Sequence, residues 1–291
     1  MRNFFKYIIL RLVVLLLMLF LLDLLFTTIY AKKKGIRNKI EFVFQNSAKK
    51  YDYIFLGSSR VEYHVDTELI DKSIQKKSLN MGISGQDITE TFLLLKLLIN
   101  KNFKAKKYFI QLDESDFSLV NEKSFIGASY FMPYVDNDEV KNHLEKYDDD
   151  FFLDTKTPFY RYMNYGYKIG YRELLLKINN KTRREKFYIG LKPVLKDNKA
   201  SYLFKDKYNN HLLNEIKSFA KAKNLELVFF TSPYYNPQKT ATYKKFAKNN
   251  NIKQYIDSIK NAKYFKDSSH LNYLGARKFT EMFIRDFALE F

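Results

Sequence analysis

An apolar segment near the N-terminus limits what the first part of this chain can form. Residues 7–30 read YIILRLVVLLLMLFLLDLLFTTIY, and residues 12–22 contain no polar side chain. A helix that crosses a bilayer needs about 20 mostly apolar residues. The segment therefore predicts one transmembrane helix, with residues 7–30 in contact with membrane lipid and residues 1–31 forming an N-terminal membrane anchor.

Two charged residues, Arg11 and Asp23, flank the apolar core of this segment. Arg11 is close enough to one end for its long side chain to reach the interface. Asp23 lies deeper, where a carboxylate is costly. Two interpretations of Asp23 are open: it pairs with another membrane protein, or it lies in a tilted helix where the bilayer is thinned.

A cleaved signal peptide is the alternative to an anchor, because the basic start and the apolar length also fit that class. However, Ile29-Tyr30-Ala31 lacks the small residue required three positions before the cut. This favours an uncleaved anchor.

The charges beside the apolar core bear on which side of the membrane the rest of the chain lies. Three basic residues precede the core and five follow it: Arg2, Lys6 and Arg11, then Lys32, Lys33, Lys34, Arg37 and Lys39. By itself this count predicts a cytoplasmic C-terminal side, which conflicts with a domain outside the membrane.

Composition excludes several kinds of site. The chain has 291 residues and no cysteine, so a disulfide framework, a thiolate zinc site, an iron–sulfur cluster and a cysteine nucleophile are all excluded. Its net charge is +18, but the lysines are scattered along the chain. This pattern favours a solvated basic surface over a nucleic-acid partner, with an anionic envelope polymer as the alternative binding partner.

Apolar strand-like runs alternate with helical stripes over most of the remaining chain, residues 32–291. This alternation predicts an α/β fold, a three-layer sandwich with a mainly parallel, flavodoxin-like sheet. The pattern breaks at about 117–199, where we expect an aromatic-rich insertion. Expected strands are 51–56, 77–80, 107–112, 225–230 and 252–256, and expected helices are 36–50, 65–74, 87–100, 202–223, 240–249 and 272–289.

Three motifs lie where the expected strands end or the last helix begins. Functional side chains of parallel sheets collect at the carboxyl ends of strands. Ser59 follows the first strand, and Gly85 ends the turn after the second. Asp267 and His270 precede the last helix with the spacing that lets a carboxylate orient an imidazole. Each motif alone also fits a structural role, as a tight turn, an ordinary strand-to-helix turn or a helix N-cap.

Together, these motifs supply the groups of a serine nucleophile site: a serine, a base that takes its proton and an acid that orients the base. Ser59, His270 and Asp267 are the candidates. His64, which is nearer to Ser59 in sequence, is the alternative base.

In this order the motifs resemble the SGNH, or GDSL-like, hydrolase superfamily over residues 51–121 and 225–291. The resemblance implies that Ser59 is the nucleophile, that Asp267 and His270 complete its triad, and that the backbone amides of Gly85 and Ser59 hold the oxyanion. It implies neither a metal nor an organic cofactor. Ser58 replaces the usual aspartate, and Ser115 stands at about the position of the family's oxyanion asparagine.

An N-terminal span followed by Gly-Ser-Ser is similar to a membrane-anchored subset that includes proteins of teichoic-acid D-alanylation and alginate O-acetylation. This similarity implies a serine acyltransferase or esterase that acts on O-acyl groups of a cell-envelope glycan, outside the cell membrane and with a membrane-bound acyltransferase partner. The alternative is a non-catalytic protein of the same fold that binds glycan or scaffolds an envelope-modification complex. The aromatic insertion either stacks on sugar rings or packs a small subdomain.

Overall fold

A computed structural model describes residues 2–33, 35–117, 127–179, 190–192 and 200–288. It confirms the expected α/β class, with a mainly parallel sheet and one long apolar helix at the N-terminus. The α-helices and strands are, in chain order, α1 (Arg2–Lys32), α2 (Lys39–Gln45), β1 (Lys50–Leu56), α3 (Ser59–His64), α4 (Thr67–Ile74), β2 (Ser78–Asn80), α5 (Ile88–Asn100), β3 (Lys104–Gln111), α6 (Asp138–Tyr147), α7 (Phe151–Lys156), α8 (Tyr160–Asn164), α9 (Gly166–Ile169), α10 (Tyr171–Ile178), β4 (Tyr202–Leu203), α11 (His211–Ala222), β5 (Leu227–Phe230), β6 (Pro237–Gln238), α12 (Ala241–Asn249) and α13 (Tyr273–Ala288).

The main sheet has the strand order β2-β1-β3-β5, and all neighbouring strands are parallel. In its register Ile54 lies opposite Leu79 on one side and Tyr108 on the other. The central strands are buried at their carboxyl halves, which explains why they read as continuous apolar runs. The strand order reverses between β1 and β3, the place where open parallel sheets form ligand crevices.

Helix α13 covers one face of this sheet with phenylalanine side chains. Phe283 lies 5.7 Å from Phe55 and 5.2 Å from Phe109, measured between ring centroids. Both of these strand residues belong to the same buried cluster as Phe279 and Phe287 of the helix. Side chains alternate along a strand, so the neighbours of Phe55 in β1 face the opposite layer, where α5 packs against β1. The packing fixes where α13 begins, and with it the loop that carries Asp267 and His270.

Three expected elements differ clearly from the structure. The helix expected at 36–50 spans only Lys39–Gln45, because Ala48 has a φ of +53°, which a helix does not allow, and Lys50 already begins β1.

The helix expected at 202–223 begins only at His211, because Tyr202 and Leu203 instead pair with Pro237 and Gln238 in a two-stranded sheet. Tyr202 also packs on the Tyr234 ring at 4.2 Å, a tertiary contact that overrides helix propensity.

The strand expected at 252–256 is reduced to a single parallel bridge between Phe230 and Lys253. The chain leaves the edge of β5 after this bridge.

Packing divides the chain into two compact units. The first contains residues 1–47 and 128–185, and the second contains 48–127 and 186–291. The first unit therefore joins α1 and α2 to a large part of the expected insertion at 117–199. Three parts of that insertion, 118–126, 180–189 and 193–199, lie outside the described residues. The domain boundary expected after residue 31 stays a prediction.

Within the first unit, Asp23 of α1 is paired inside the chain. Its Oδ1 accepts a hydrogen bond from Arg161 Nη2 at 2.6 Å, and its Oδ2 accepts one from the Phe159 backbone amide at 2.9 Å. Neither interpretation made from the sequence included this partner, which is 138 residues away. Phe26 and Tyr30 are buried in the same unit. The last turns of α1 are thus part of a folded structure, and by length and composition the helix can cross a membrane.

Candidate active site

The end of β1 places Ser59 at the carboxyl edge of the sheet. Gly57 follows the strand with a φ of +148°, and a Cβ there would approach Val61 Cγ2 to 2.8 Å, so the turn requires glycine. Ser58 caps the next helix, since its Oγ accepts a hydrogen bond from the Arg60 amide at 3.3 Å. Ser59 is therefore the first residue of α3, with a partly exposed side chain at the switch point of the sheet.

The structure brings the three residues of the expected triad together. Ser59 Oγ lies 2.8 Å from His270 Nε2, and His270 Nδ1 lies 3.0 Å from both carboxylate oxygens of Asp267. The side chains of His270 and Asp267 are 27% and 46% exposed. A substrate can therefore reach the serine from solvent, and the hydrogen-bond geometry is that of a nucleophile, a base and an orienting acid.

The His270 side chain and two backbone amides keep Asp267 ionised, and the ionised carboxylate fixes the tautomer of His270. Burial by itself raises the pKa of the Asp267 carboxyl. The hydrogen bond to His270, its charge and the amides of Ser269 and His270 outweigh burial, and the net pKa lies well below its ordinary value. An ionised carboxylate only accepts hydrogen bonds, so Nδ1 carries the proton and Nε2 is left to accept from the Ser59 hydroxyl.

His64, the alternative base, has a different contact. Its Nε2 accepts a hydrogen bond from the Leu271 backbone amide at 2.9 Å, and the side chain is completely buried. Burial, and then the charge of Arg60, hold the pKa of His64 well below its ordinary value. His64 is thus a neutral acceptor that fixes the backbone next to His270, and sequence reasoning missed this role.

The turn after β2 runs beside the helix that carries Ser59. The Ile83 amide donates to Gly57 O at 3.0 Å, and the Ser84 amide donates to Glu62 Oε2 at 3.0 Å. Ser84 Oγ also lies 2.7 Å from the Tyr63 hydroxyl. These bonds hold Gly85, the next residue, at the same edge of the sheet as α3.

The backbone amides of Ser59 and Gly85 donate no hydrogen bond among the residues that the structure describes. Both are therefore available to an oxyanion, as an acyl-transfer site requires. Ser115, the third expected donor, is exposed in the 3-10 helix Glu114–Phe117 that follows β3. The oxyanion roles of all three residues stay predictions.

An ion pair between buried Arg60 and partly buried Asp113, which was not predicted, supports the turn at Ser58. Arg60 Nη1 lies 2.8 Å from Asp113 Oδ1, and the Ser58 hydroxyl donates to Asp113 Oδ2 at 2.6 Å. Arg60 also stacks 3.5 Å above the Tyr234 ring and donates to the Ser232 carbonyl at 2.6 Å. These contacts join the loops after β1, β3 and β5. The position of Asp113, two residues after β3, is the sequence signal that could have identified it.

Neighbouring groups keep the Asp113 carboxyl of this pair ionised. Burial raises the pKa of the Asp113 carboxyl, but the charge of Arg60 and the hydrogen bonds from Ser58 and Gln111 outweigh it, so the net pKa is below the ordinary value. Asp113 is therefore an acceptor at neutral pH and cannot serve as an oxyanion donor.

Within the described ranges, no group of three or more histidine, aspartate or glutamate side chains is arranged to hold a metal ion.

Comparisons with known proteins add little to this geometry. No protein-family model matches the chain, and a search of curated proteins finds no match. Among solved structures, the chain is similar to one described as "a putative platelet activating factor from Streptococcus pneumonia". The match covers 97% of this chain and 98% of that chain at 15% sequence identity, with a TM-score of 0.28. A likeness at this level supports no conclusion about the activity of the chain.

Proposed function

We propose that this chain is a serine-dependent acyl-transfer enzyme, an esterase or O-acyltransferase of the SGNH-like type, held at the membrane by α1. The observation that carries this proposal is the unbroken hydrogen-bond series from Ser59 through His270 to Asp267. It lies at the carboxyl edge of a parallel sheet, beside two backbone amides with no acceptor in the described protein.

The chemistry follows from the tautomer of His270. Its Nε2 takes the proton of Ser59 Oγ while the oxygen attacks the ester carbonyl carbon. The oxyanion of the tetrahedral intermediate accepts hydrogen bonds from the Ser59 and Gly85 amides. The intermediate collapses to an acyl-serine as the C–O bond to the alcohol breaks, and the alcohol leaves with the proton from His270. Water or a sugar hydroxyl then attacks the acyl carbon and gives its proton to His270. The bond from that carbon to Ser59 Oγ breaks, Ser59 Oγ takes the proton back from His270, and the acid or the new ester leaves.

The substrate class that we propose is an O-acylated glycan of the cell envelope. The Tyr63 ring lies 6.2 Å from that of His270, and the Tyr63 hydroxyl is hydrogen-bonded to Ser84. Polar groups beside a partly exposed serine suit a sugar better than a long lipid chain. The net charge of +18 favours an anionic polymer. In this proposal the domain lies outside the cell membrane, and a membrane-bound acyltransferase supplies the acyl group.

A glycan-binding or scaffold protein without catalysis is the second candidate. The loop after β3 favours it, because the oxyanion asparagine of the resembled superfamily is absent there and Ser115 stands at about its position. Loss of one oxyanion donor costs about 10²–10³ in rate.

Ester hydrolysis by the purified full chain in detergent tests the proposal. We expect turnover of short-chain p-nitrophenyl esters, and a loss of about 10³-fold or more in Ser59→Ala and His270→Ala. Ser218→Ala, an exposed serine on α11, is the matched control and should retain activity. If the folded wild-type chain transfers no acyl group either to water or to a sugar acceptor, the scaffold candidate is favoured.

A further inference from the structure

One face of helix α1 changes from exposed to buried within about one turn. Leu24 and Leu25 are 54% and 51% exposed, whereas Phe26 and Tyr30 are 5% and 1% exposed. Large apolar side chains are exposed along almost the whole helix from Phe4 to this point. At 1.5 Å per residue, residues 4–25 extend about 33 Å, close to the ~30 Å of a hydrocarbon core. In a spanning α1, the hydrocarbon therefore ends near Asp23.

Helix α8 is attached to α1 at this same level. Asp23 accepts hydrogen bonds from Arg161 and from the Phe159 amide, as described above. One turn further, Thr27 Oγ1 lies 2.9 Å from Arg161 Nη2 and 2.8 Å from the Tyr162 hydroxyl. Because these contacts are short and the Arg161 side chain is buried, the height of α8 along α1 is fixed.

Helices α7 and α8 each carry large apolar side chains that no described residue covers. Phe152 is 70% exposed, Met163 is 57% exposed and Leu153 is 38% exposed. The two helices pack on each other, and the Tyr165 hydroxyl just after α8 donates to Asp154 of α7 at 3.2 Å. We call these three side chains the α7–α8 surface. Exposed apolar groups on adjacent elements usually mark an interaction site.

We infer that the α7–α8 surface lies in the boundary between lipid headgroups and acyl chains of the bilayer that α1 spans. This inference rests on the proposed membrane anchoring of α1. The bilayer is the occupant that the contacts favour, because the surface is attached at the level where the lipid-facing side of α1 ends. Aromatic and aliphatic side chains are stable at this depth, and the exposed Lys156 of α7 has a side chain long enough to reach the headgroups.

The chain contains no tryptophan, so a single introduced tryptophan reports its own environment. The test uses the full chain in two phosphatidylcholine vesicle preparations, one with lipids brominated near the headgroup end of the acyl chains for the surface variants and one with lipids brominated near the methyl end for Leu15→Trp. Phe152→Trp and Met163→Trp are compared with Leu15→Trp, an exposed position in the middle of α1. We expect brominated lipid to quench the fluorescence of both surface variants, and aqueous acrylamide to quench it much less than that of free N-acetyltryptophanamide.

The Leu15→Trp variant separates failure of this inference from failure of the anchor. If Leu15→Trp is quenched by brominated lipid while both surface variants respond only to acrylamide, the α7–α8 surface faces water and the inference is overturned. If Leu15→Trp is not quenched either, the anchoring and the inference fall together.

Since the chain also lacks cysteine, nitroxide labels on Phe152→Cys and Met163→Cys give a second measurement. Greater collision with oxygen than with an aqueous nickel complex is the expected result, and the reverse overturns the inference.

Discussion

The Leu271 backbone amide donates a hydrogen bond of 2.9 Å to Nε2 of His64. His64 ends the helix that Ser59 begins, and Leu271 follows His270 in the chain. One buried side chain thus connects the backbone of the proposed nucleophile to the backbone of the proposed base. Because the bond needs a neutral imidazole, it depends on the low pKa that burial and Arg60 impose on His64.

We predict that His64→Ala lowers kcat for ester hydrolysis by about 10-fold to 10²-fold, since small misplacements of reacting groups are costly. KM should change little, because His64 has no path to the substrate from its buried position. His64→Gln, which offers an amide oxygen in place of Nε2, should recover part of kcat. Steady-state kinetics check this. A His64→Ala protein that is less stable but has the wild-type kcat per folded molecule would show that His64 is only structural.

The Arg60–Asp113 pair should contribute strongly to stability. Arg60→Met leaves a partly buried carboxylate, 17% exposed, without its partner, so we expect the free energy of unfolding to fall by about 3 kcal/mol, the low end for buried pairs. Adding Asp113→Asn to this variant should recover part of the loss. Urea unfolding followed by circular dichroism measures both. Arg277→Met removes an exposed pair with Glu281 and should change stability by less than about 0.5 kcal/mol. Equal losses in the Arg60 and Arg277 variants would contradict this account.

The close approach of the turn after β2 to α3 predicts that Gly82→Ala is destabilising. A Cβ at Gly82 would lie 2.5 Å from the Glu62 nitrogen and 2.5 Å from Val61 Cβ. We expect a loss of about 1–3 kcal/mol and lower activity, because the shift moves the turn that carries Gly85. Gly166→Ala is the control, since a Cβ there meets nothing within 4 Å. Denaturant unfolding and ester hydrolysis are the measurements, and wild-type values for Gly82→Ala would refute the prediction.

The first unit should lose stability as pH rises through the weakly acidic range. Burial, and then the charge of Asp148, raise the pKa of the Asp154 carboxyl to about 7. In the unfolded chain an aspartate loses its proton near pH ~4. Between these values unfolding releases a proton, so stability falls from about pH 4 to about pH 7 and then levels off.

Thermal unfolding of the full chain at a series of pH values checks this dependence. Asp154→Asn should flatten the slope and raise the midpoint at pH 8, by roughly 2–4 °C for each kcal/mol gained. Asp136→Asn, an exposed position in the same unit, is the control and should keep the wild-type slope. A slope unaltered by Asp154→Asn would mean that another group is responsible.

Much of the fold could be predicted from local sequence patterns. The strands β1, β3 and β5 are apolar runs, and the helices α5 and α13 carry apolar stripes, so each is specified by its own residues. The two-stranded sheet of β4 and β6 could not be predicted in this way. Its short strands depend on contacts such as the packing of Tyr202 on Tyr234, which no local pattern contains.

In the candidate site, too, features set by local sequence could be predicted and features set by long-range contacts could not. Ser59 could be predicted because it follows an apolar strand, and Asp267 with His270 because their spacing is local. The structural role of His64 and the Arg60–Asp113 pair could not be predicted, since each requires knowing which distant segments meet at the sheet edge. The pairing of Asp23 with Arg161 was missed for the same reason.

Labelling of the full chain with a fluorophosphonate probe, located by mass spectrometry, tests the central claim most directly. We predict an adduct on Ser59 that is absent in Ser59→Ala, strongly slowed in His270→Ala and unchanged in Ser218→Ala. A folded wild-type chain that carries no adduct on Ser59, or an adduct that forms equally fast in His270→Ala, would contradict the claim that His270 activates Ser59.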